Sequence, residues 1–117
     1  QVFNNGDMAR DFTFIDDVVA GTIAALDAPP TAQSGPPVRV YNIGNNHPEP
    51  LLKLIEMLEK VIGRPAEKIL APMQPGDVAE TYADITAAER DLGFHPATPI
   101  EDGVPKFVDW YRQYHGI

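Results

Sequence analysis

The chain has 117 residues, 44% hydrophobic and 22% charged, with a formal net charge of −8 at pH 7. That is the size and mixture of one globular domain able to bury a core of its own. The acidic balance argues against nucleic acid or an anionic membrane as partners of the whole surface, because phosphate binding there needs a basic face.

A small anionic ligand stays open, since it needs only one or two placed arginines and some backbone N–H groups. The sequence holds no cysteine, which excludes a disulfide framework, cysteine-based zinc sites and thiol catalysis, and fits a cytoplasmic setting. No apolar run reaches the length of a membrane span. The first residues, QVFNNGDMA, have neither the basic patch nor the apolar stretch of a signal peptide. They also lack an initiating methionine, so the chain is expected to be part of a longer protein.

Residues 11–15 alternate, with Phe12 and Phe14 on one face and Thr13 and Ile15 on the other, which predicts a strand. At Asp16-Asp17 the period changes. Val18, Val19, Ile23 and Leu26 fall on one helical face, and Asp16 is expected as the N-cap. Gly21 inside that helix costs roughly 1 kcal/mol against alanine, so a close packing neighbour is expected there. Residues 28–37, APPTAQSGPP, are a proline-rich loop. VRVYNI over 38–43 predicts a short strand ending at Gly44-Asn45-Asn46.

Leu51, Leu54, Ile55, Leu58 and Ile62 follow the i, i+3, i+4, i+7 rule and predict a helix stopped by Gly63. Residues 69–84 read as an extended connection with a turn at QPGD, 74–77. TYADI predicts a short strand. Thr86-x-x-Glu89 and Thr98-x-x-Glu101 are capping boxes opening a short helix and a final one, which runs to about Tyr114 with Pro105 as an expected kink or first-turn break. The order β-α-β-α-β-α-α predicts an α/β chain: one crossover of a parallel sheet, then a small α+β lobe. Two strands are not a stable sheet alone.

Few residues stand out as chemistry. The planar fork of Arg10 suits a diphosphate, but the residues alone favour an ion pair with Asp11, Asp16 or another carboxylate. Asp16 and Asp17 read as helix-start residues in preference to a carboxylate pair. Asn42, Gly44, Asn45 and Asn46 lie where a strand end meets a helix start, a place for ligands and for plain turns. Gln74 to Asp77 offers polar contacts to a ribose or phosphate, or a turn. His47, His95 and His115 lack metal-ligand spacing. There is no G-x-G-x-x-G, no P-loop and no Tyr-x-x-x-Lys, and Ser34, the only serine, sits in the proline loop.

Taken together, RDFTFIDDVVAG, VYNIGN, MQPGDVAETYAD and DLGFHPATPIEDGVPKFVDWY resemble the C-terminal third of an extended short-chain dehydrogenase/reductase of the nucleotide-sugar epimerase group, bacterial UDP-glucuronate 4-epimerases above all. The resemblance covers nearly the whole chain. It implies a parent enzyme of polysaccharide biosynthesis that oxidises the sugar C4 hydroxyl with bound NAD, lets the 4-keto sugar turn, and returns hydride to the other face. It places the NAD loop and the catalytic base in a Rossmann portion upstream, leaving no catalytic or cofactor-binding residue in this stretch. Residues 1–46 would then be the end of the Rossmann-type portion and 47–117 a small UDP-sugar-binding lobe.

The same resemblance makes Arg10 a contact of the nucleotide's phosphate or ribose region, Asp77 a residue near the ribose and Gln74 a further substrate contact; Asn42, at the strand end, is expected as another. Many relatives carry arginine where Gln74 stands, so the second phosphate contact lacks its charge here. A homodimeric parent is implied, and the separate chain is expected to be inactive and to self-associate through exposed strand edges. The alternatives are another nucleotide-sugar enzyme (a UDP-glucose 4-epimerase, a dehydratase or a decarboxylase) or a stand-alone binding domain.

Overall fold

The computed structural model describes residues 1–31 and 36–117; Ser34 and the middle of the proline loop lie outside the described residues. The elements are β1 (Ala9–Arg10), α1 (Ile15–Asp27), β2 (Glu49–Pro50), α2 (Leu51–Ile62), β3 (Glu80–Thr81), α3 (Thr86–Leu92) and α4 (Ile100–His115). The sheet order is β2-β1-β3, with β2 antiparallel and β3 parallel to β1. Ala9 faces Pro50 and Glu80, and Arg10 faces Glu49 and Thr81.

The first ten residues are the hub of the backbone. Val2 N–H donates to the Ile69 carbonyl (2.8 Å), Ala71 N–H to the Val2 carbonyl (2.9 Å) and Ala9 N–H to the Ala79 carbonyl (2.8 Å). Between these contacts the chain turns through Asn4 and Asn5, whose positive φ of 49° and 52° is tolerated because asparagine enters the left-handed region more readily than other side chains.

The helices follow the apolar pattern more closely than the strands do. α2 ends one residue before Gly63, which takes φ 87° and donates to the Glu59 carbonyl. Gly93 closes α3 in the same way at φ 63°. α2 lies along α4, and Arg112 of α4 donates to the last carbonyls of α2 at Val61 and Ile62 (3.4 and 3.3 Å), where a cation also suits the helix dipole. Gly21 is buried on α1: a Cβ there would stand 2.8 Å from Ile43 Cδ1 and 3.0 Å from Phe94 Cδ2, the close neighbour its presence predicts. α1 thereby reaches the core cluster of Ile85, Ala88 and Phe94.

Several local expectations are corrected. Residues 11–14 are not a strand; the ladder sits earlier, at Ala9–Arg10. Phe12 to Phe14 spend their alternation on side-chain packing, with Phe14 filling the space above Gly103 of α4. Residues 38–43 also carry no ladder, and Val38 and Val40 are exposed, because no strand lies beside them among the described residues. The strand read in TYADI forms as Glu80–Thr81 instead.

Asp16 is not the N-cap of α1, which starts at Ile15, so both aspartates sit in its first turn. Neither threonine capping box forms. Asp84 takes the Thr86 N–H (3.0 Å), and the Pro99 carbonyl takes the N–H groups of Asp102 and Gly103 (3.0 Å each). α4 runs on through Pro105, near enough to its start that one missing donor leaves only the exposed Glu101 carbonyl without its helical partner.

Candidate functional site

Arg10 closes β1, and its parallel neighbour β3 follows the loop that holds Asp77. That pairing brings together two residues 67 apart in sequence: Arg10 Nη2 donates to Asp77 Oδ1 at 3.0 Å. Arg10 Nη1 donates to the carbonyls of Ala9 (2.8 Å) and Ala79 (3.1 Å). The guanidinium is therefore held on one side by the chain, while its Nε–H has no partner among the described residues. Both side chains are partly exposed, 25% and 32%, so the pair faces solvent at the surface of the sheet.

Asp77 is fixed by its turn. Its N–H donates to the Gln74 carbonyl (3.1 Å), and Gly76 supplies the φ of 84° that a type II turn requires at its third residue. Its Oδ1 also accepts the Val78 N–H (2.8 Å). Gln74 begins the same turn, exposed and uncharged. The structure thus places Arg10, Asp77 and the Gln74 turn in one region.

Asn42 stands apart from the other three. Its amide donates to the Asp84 carbonyl (3.1 Å), and it lines a polar cleft of 460 Å³ with Asp11, Thr13, Tyr41, Thr81 and Tyr82. The cleft is bordered by Thr81 of β3 and by Asp11, next to Arg10, so one strand pair serves both features. Beyond Tyr41, whose hydroxyl donates to Asp91 at 3.4 Å, two arginines hold the Asp91 carboxyl far below the usual carboxylate range, Arg90 first and Arg39 second.

Sequence reasoning missed Asp11. Its carboxylate accepts N–H bonds from Asn45, Asn46 and Ala83 at 3.0 Å each, and from His47 at 3.5 Å. Successive N–H groups around a left-handed residue, here Asn46 at φ 54°, form a concave anion nest. Asp11 occupies that nest, so the Gly44-Asn45-Asn46 turn does not offer these donors to an external ligand. The signal in the sequence was a donor-rich turn with no anion assigned to it.

A larger groove of 790 Å³ lies elsewhere, between Phe12, Phe14, Leu54, Leu58, Val104 and Trp110. It is apolar, and none of the four predicted site residues lines it. No group of residues able to hold a metal ion is present among the described residues. No helix there is long and apolar enough to cross a membrane.

Residues 1–44 match the NAD dependent epimerase/dehydratase family. Over 96% of its length the chain is 42% identical to UDP-glucuronate 4-epimerase 5 of Arabidopsis thaliana, of which it covers 28%. It superposes, with a TM-score of 0.79 and 36% identity, on the UDP-glucuronic acid 4-epimerase of Bacillus cereus in complex with UDP-glucuronic acid and NAD, covering 96% of this chain and 34% of that one. It superposes equally on the UDP-glucose 4-epimerase of Bifidobacterium longum with NAD+ and UDP, with a TM-score of 0.78, 30% identity, and coverage of 97% and 35%. The chain spans about a third of the length of the curated relatives it matches. The family model thus matches residues 1–44, and over nearly all of its length the chain is similar to about a third of these 4-epimerases.

Proposed function

We propose that this chain supplies the UDP-sugar grip of an NAD-dependent nucleotide-sugar 4-epimerase that interconverts UDP-glucuronate and UDP-galacturonate. The observation that carries the reading is the Arg10–Asp77 pair, two residues singled out separately and joined at 3.0 Å by the β1–β3 pairing. On this reading Arg10 turns its free Nε edge to a phosphate oxygen, and Asp77 accepts a ribose hydroxyl. A guanidinium gains about 1.5–3 kcal/mol per charged hydrogen bond. Gln74, in the same turn, donates without charge. Asn42 contributes from the neighbouring cleft.

The residues of this chain do not fit NAD. They include neither the glycine-rich strand-turn-helix that approaches a pyrophosphate nor a Tyr-x-x-x-Lys pair. On our reading the cofactor and the catalytic residues therefore belong to a portion outside this stretch, and dimerisation and a cytoplasmic setting belong to the whole enzyme. The division proposed is 1–46 as the end of the Rossmann-type portion and 47–117 as the substrate lobe.

Relatives include both UDP-glucuronate and UDP-glucose 4-epimerases, so the sugar is tested directly. The full-length protein is assayed on UDP-glucuronate and on UDP-glucose. Faster turnover of UDP-glucuronate is expected. Preference for UDP-glucose reassigns the sugar, and no turnover of either removes the reading. The 117-residue chain with added NAD is expected to show none.

A further inference from the structure

The dipeptide Arg10-Asp11 pins two separate parts of the chain. Arg10 reaches the 77–79 loop, through Asp77 and the Ala79 carbonyl. Asp11 reaches the 45–47 turn and the Ala83 N–H just past β3. We propose that Asp11 is a positioning residue for UDP-sugar binding: its carboxylate, seated in the nest of residues 45–47, fixes the end of β1 from which Arg10 projects and the wall of the cleft that carries Asn42. This rests on the UDP-sugar reading above.

Three observations support it. A carboxylate with three N–H donors at 3.0 Å gains strength from charge assistance, and no neutral side chain can match that number of acceptor sites. The space around it is closed. A Cβ on Gly44 would stand 2.7 Å from Asp11 Oδ2 and 2.4 Å from the Ala83 Cβ, so the turn, the carboxylate and the chain after β3 meet with no slack. Finally, the 45–47 turn lies just before β2 and Ala83 just after β3, the two strands that flank β1, so Asp11 holds both flanking segments where the ladders end. Its side-chain bonds extend the hold on both segments beyond the two-residue ladders.

Asp11 touches none of the groups assigned to the nucleotide, so its effect must pass through Arg10 and Asn42. The test uses the full-length protein, with UDP as the probe for titration calorimetry and UDP-glucuronate for kinetics. Asp11→Asn keeps the volume but turns one acceptor into a donor facing N–H groups. It is expected to weaken UDP binding and raise KM by about tenfold, with kcat and NAD affinity unchanged, and to speed amide exchange at Asn45, Asn46 and Ala83. Asp11→Glu keeps the charge but carries a methylene for which the closed cradle has no room, and it is expected not to restore UDP binding.

Asp17 provides the comparison, because its carboxylate also takes backbone N–H groups, those of Ala97 and Thr98 (3.1 and 3.0 Å), between α1 and the start of α4. Asp17→Asn is expected to lower Tm without changing UDP affinity. Wild-type UDP affinity in Asp11→Asn or in Asp11→Glu overturns the positioning role alone. Failure of the wild-type protein to bind UDP overturns the UDP-sugar reading and this inference with it.

Discussion

Arg10 shows how one side chain serves two readings at once. Its ion pair with Asp77 is the partner its residue type suggested, and the same pairing leaves Nε available beside a second polar group. An exposed ion pair contributes about 0–1 kcal/mol to stability, so the pair is a weak argument for folding and a better one for binding. Arg10→Ala in the full-length enzyme is expected to raise KM for the UDP-sugar at least tenfold, from the loss of a charged hydrogen bond of about 1.5–3 kcal/mol, with NAD affinity unchanged. Steady-state kinetics with a separate NAD titration check it. Gln74→Arg adds a cation to the same turn and is expected to lower the Kd for UDP, read by calorimetry.

Residue chemistry also sets the acid response. Asp91 is held low by Arg90 and then Arg39, Glu59 by Lys68 and the Ala66 N–H, and Glu101 by Lys53. A carboxylate lowered in the fold stabilises it above the unfolded value, 3.8 for Asp91, and that contribution is lost as pH falls through the folded value. The Tm difference between wild type and Asp91→Asn is therefore expected to be present at pH 6 and to vanish in strong acid. Thermal melts across that range measure it.

At the scale of elements, glycine positions and helix stripes carried most of the information. Gly21 joins α1 to the Ile43 and Phe94 side chains. Gly21→Ala gains helix propensity of roughly 1 kcal/mol but forces two core side chains to shift, an overpacking cost of about 1–3 kcal/mol. A net loss of stability is expected, read as a lower denaturant midpoint. The strands were less legible. Two-residue ladders such as β1 and β3 leave almost no period to detect, and the clear alternation of Phe12 to Ile15 belongs to a segment with no ladder partner. The capping boxes failed for a related reason. α3 and α4 have Ile85 and Pro99 at their N-caps in place of the threonines, and the Glu89 N–H donates to the Ile85 carbonyl.

The whole molecule is open. Its radius of gyration is 17.6 Å, against about 13 Å for a compact chain of this length. Its accessible surface is 8180 Å², against about 6300 Å² for a compact monomer of its mass. Ile15, Val19, Ile23 and Leu26 form an exposed apolar stripe on α1, and Phe107, Trp110 and Tyr114 stand exposed on α4. Burying them elsewhere would gain about 25 cal/mol per Å². The 117-residue chain by itself is therefore expected to self-associate, seen as a concentration-dependent mass by size-exclusion chromatography with light scattering. Ile23→Lys with Leu26→Lys is expected to reduce that association.

The helices, their glycine stops and the turn at residues 74–77 are legible in the sequence alone. Each of these follows from local periodicity, from a φ that only certain residues adopt, or from motif chemistry. Only the tertiary structure decided which carboxylate Arg10 meets and which anion fills the 45–47 nest. Those partners lie between 34 and 72 residues apart in sequence. Side-chain type states that a carboxylate needs donors, whereas the path of the backbone determines whose donors reach it.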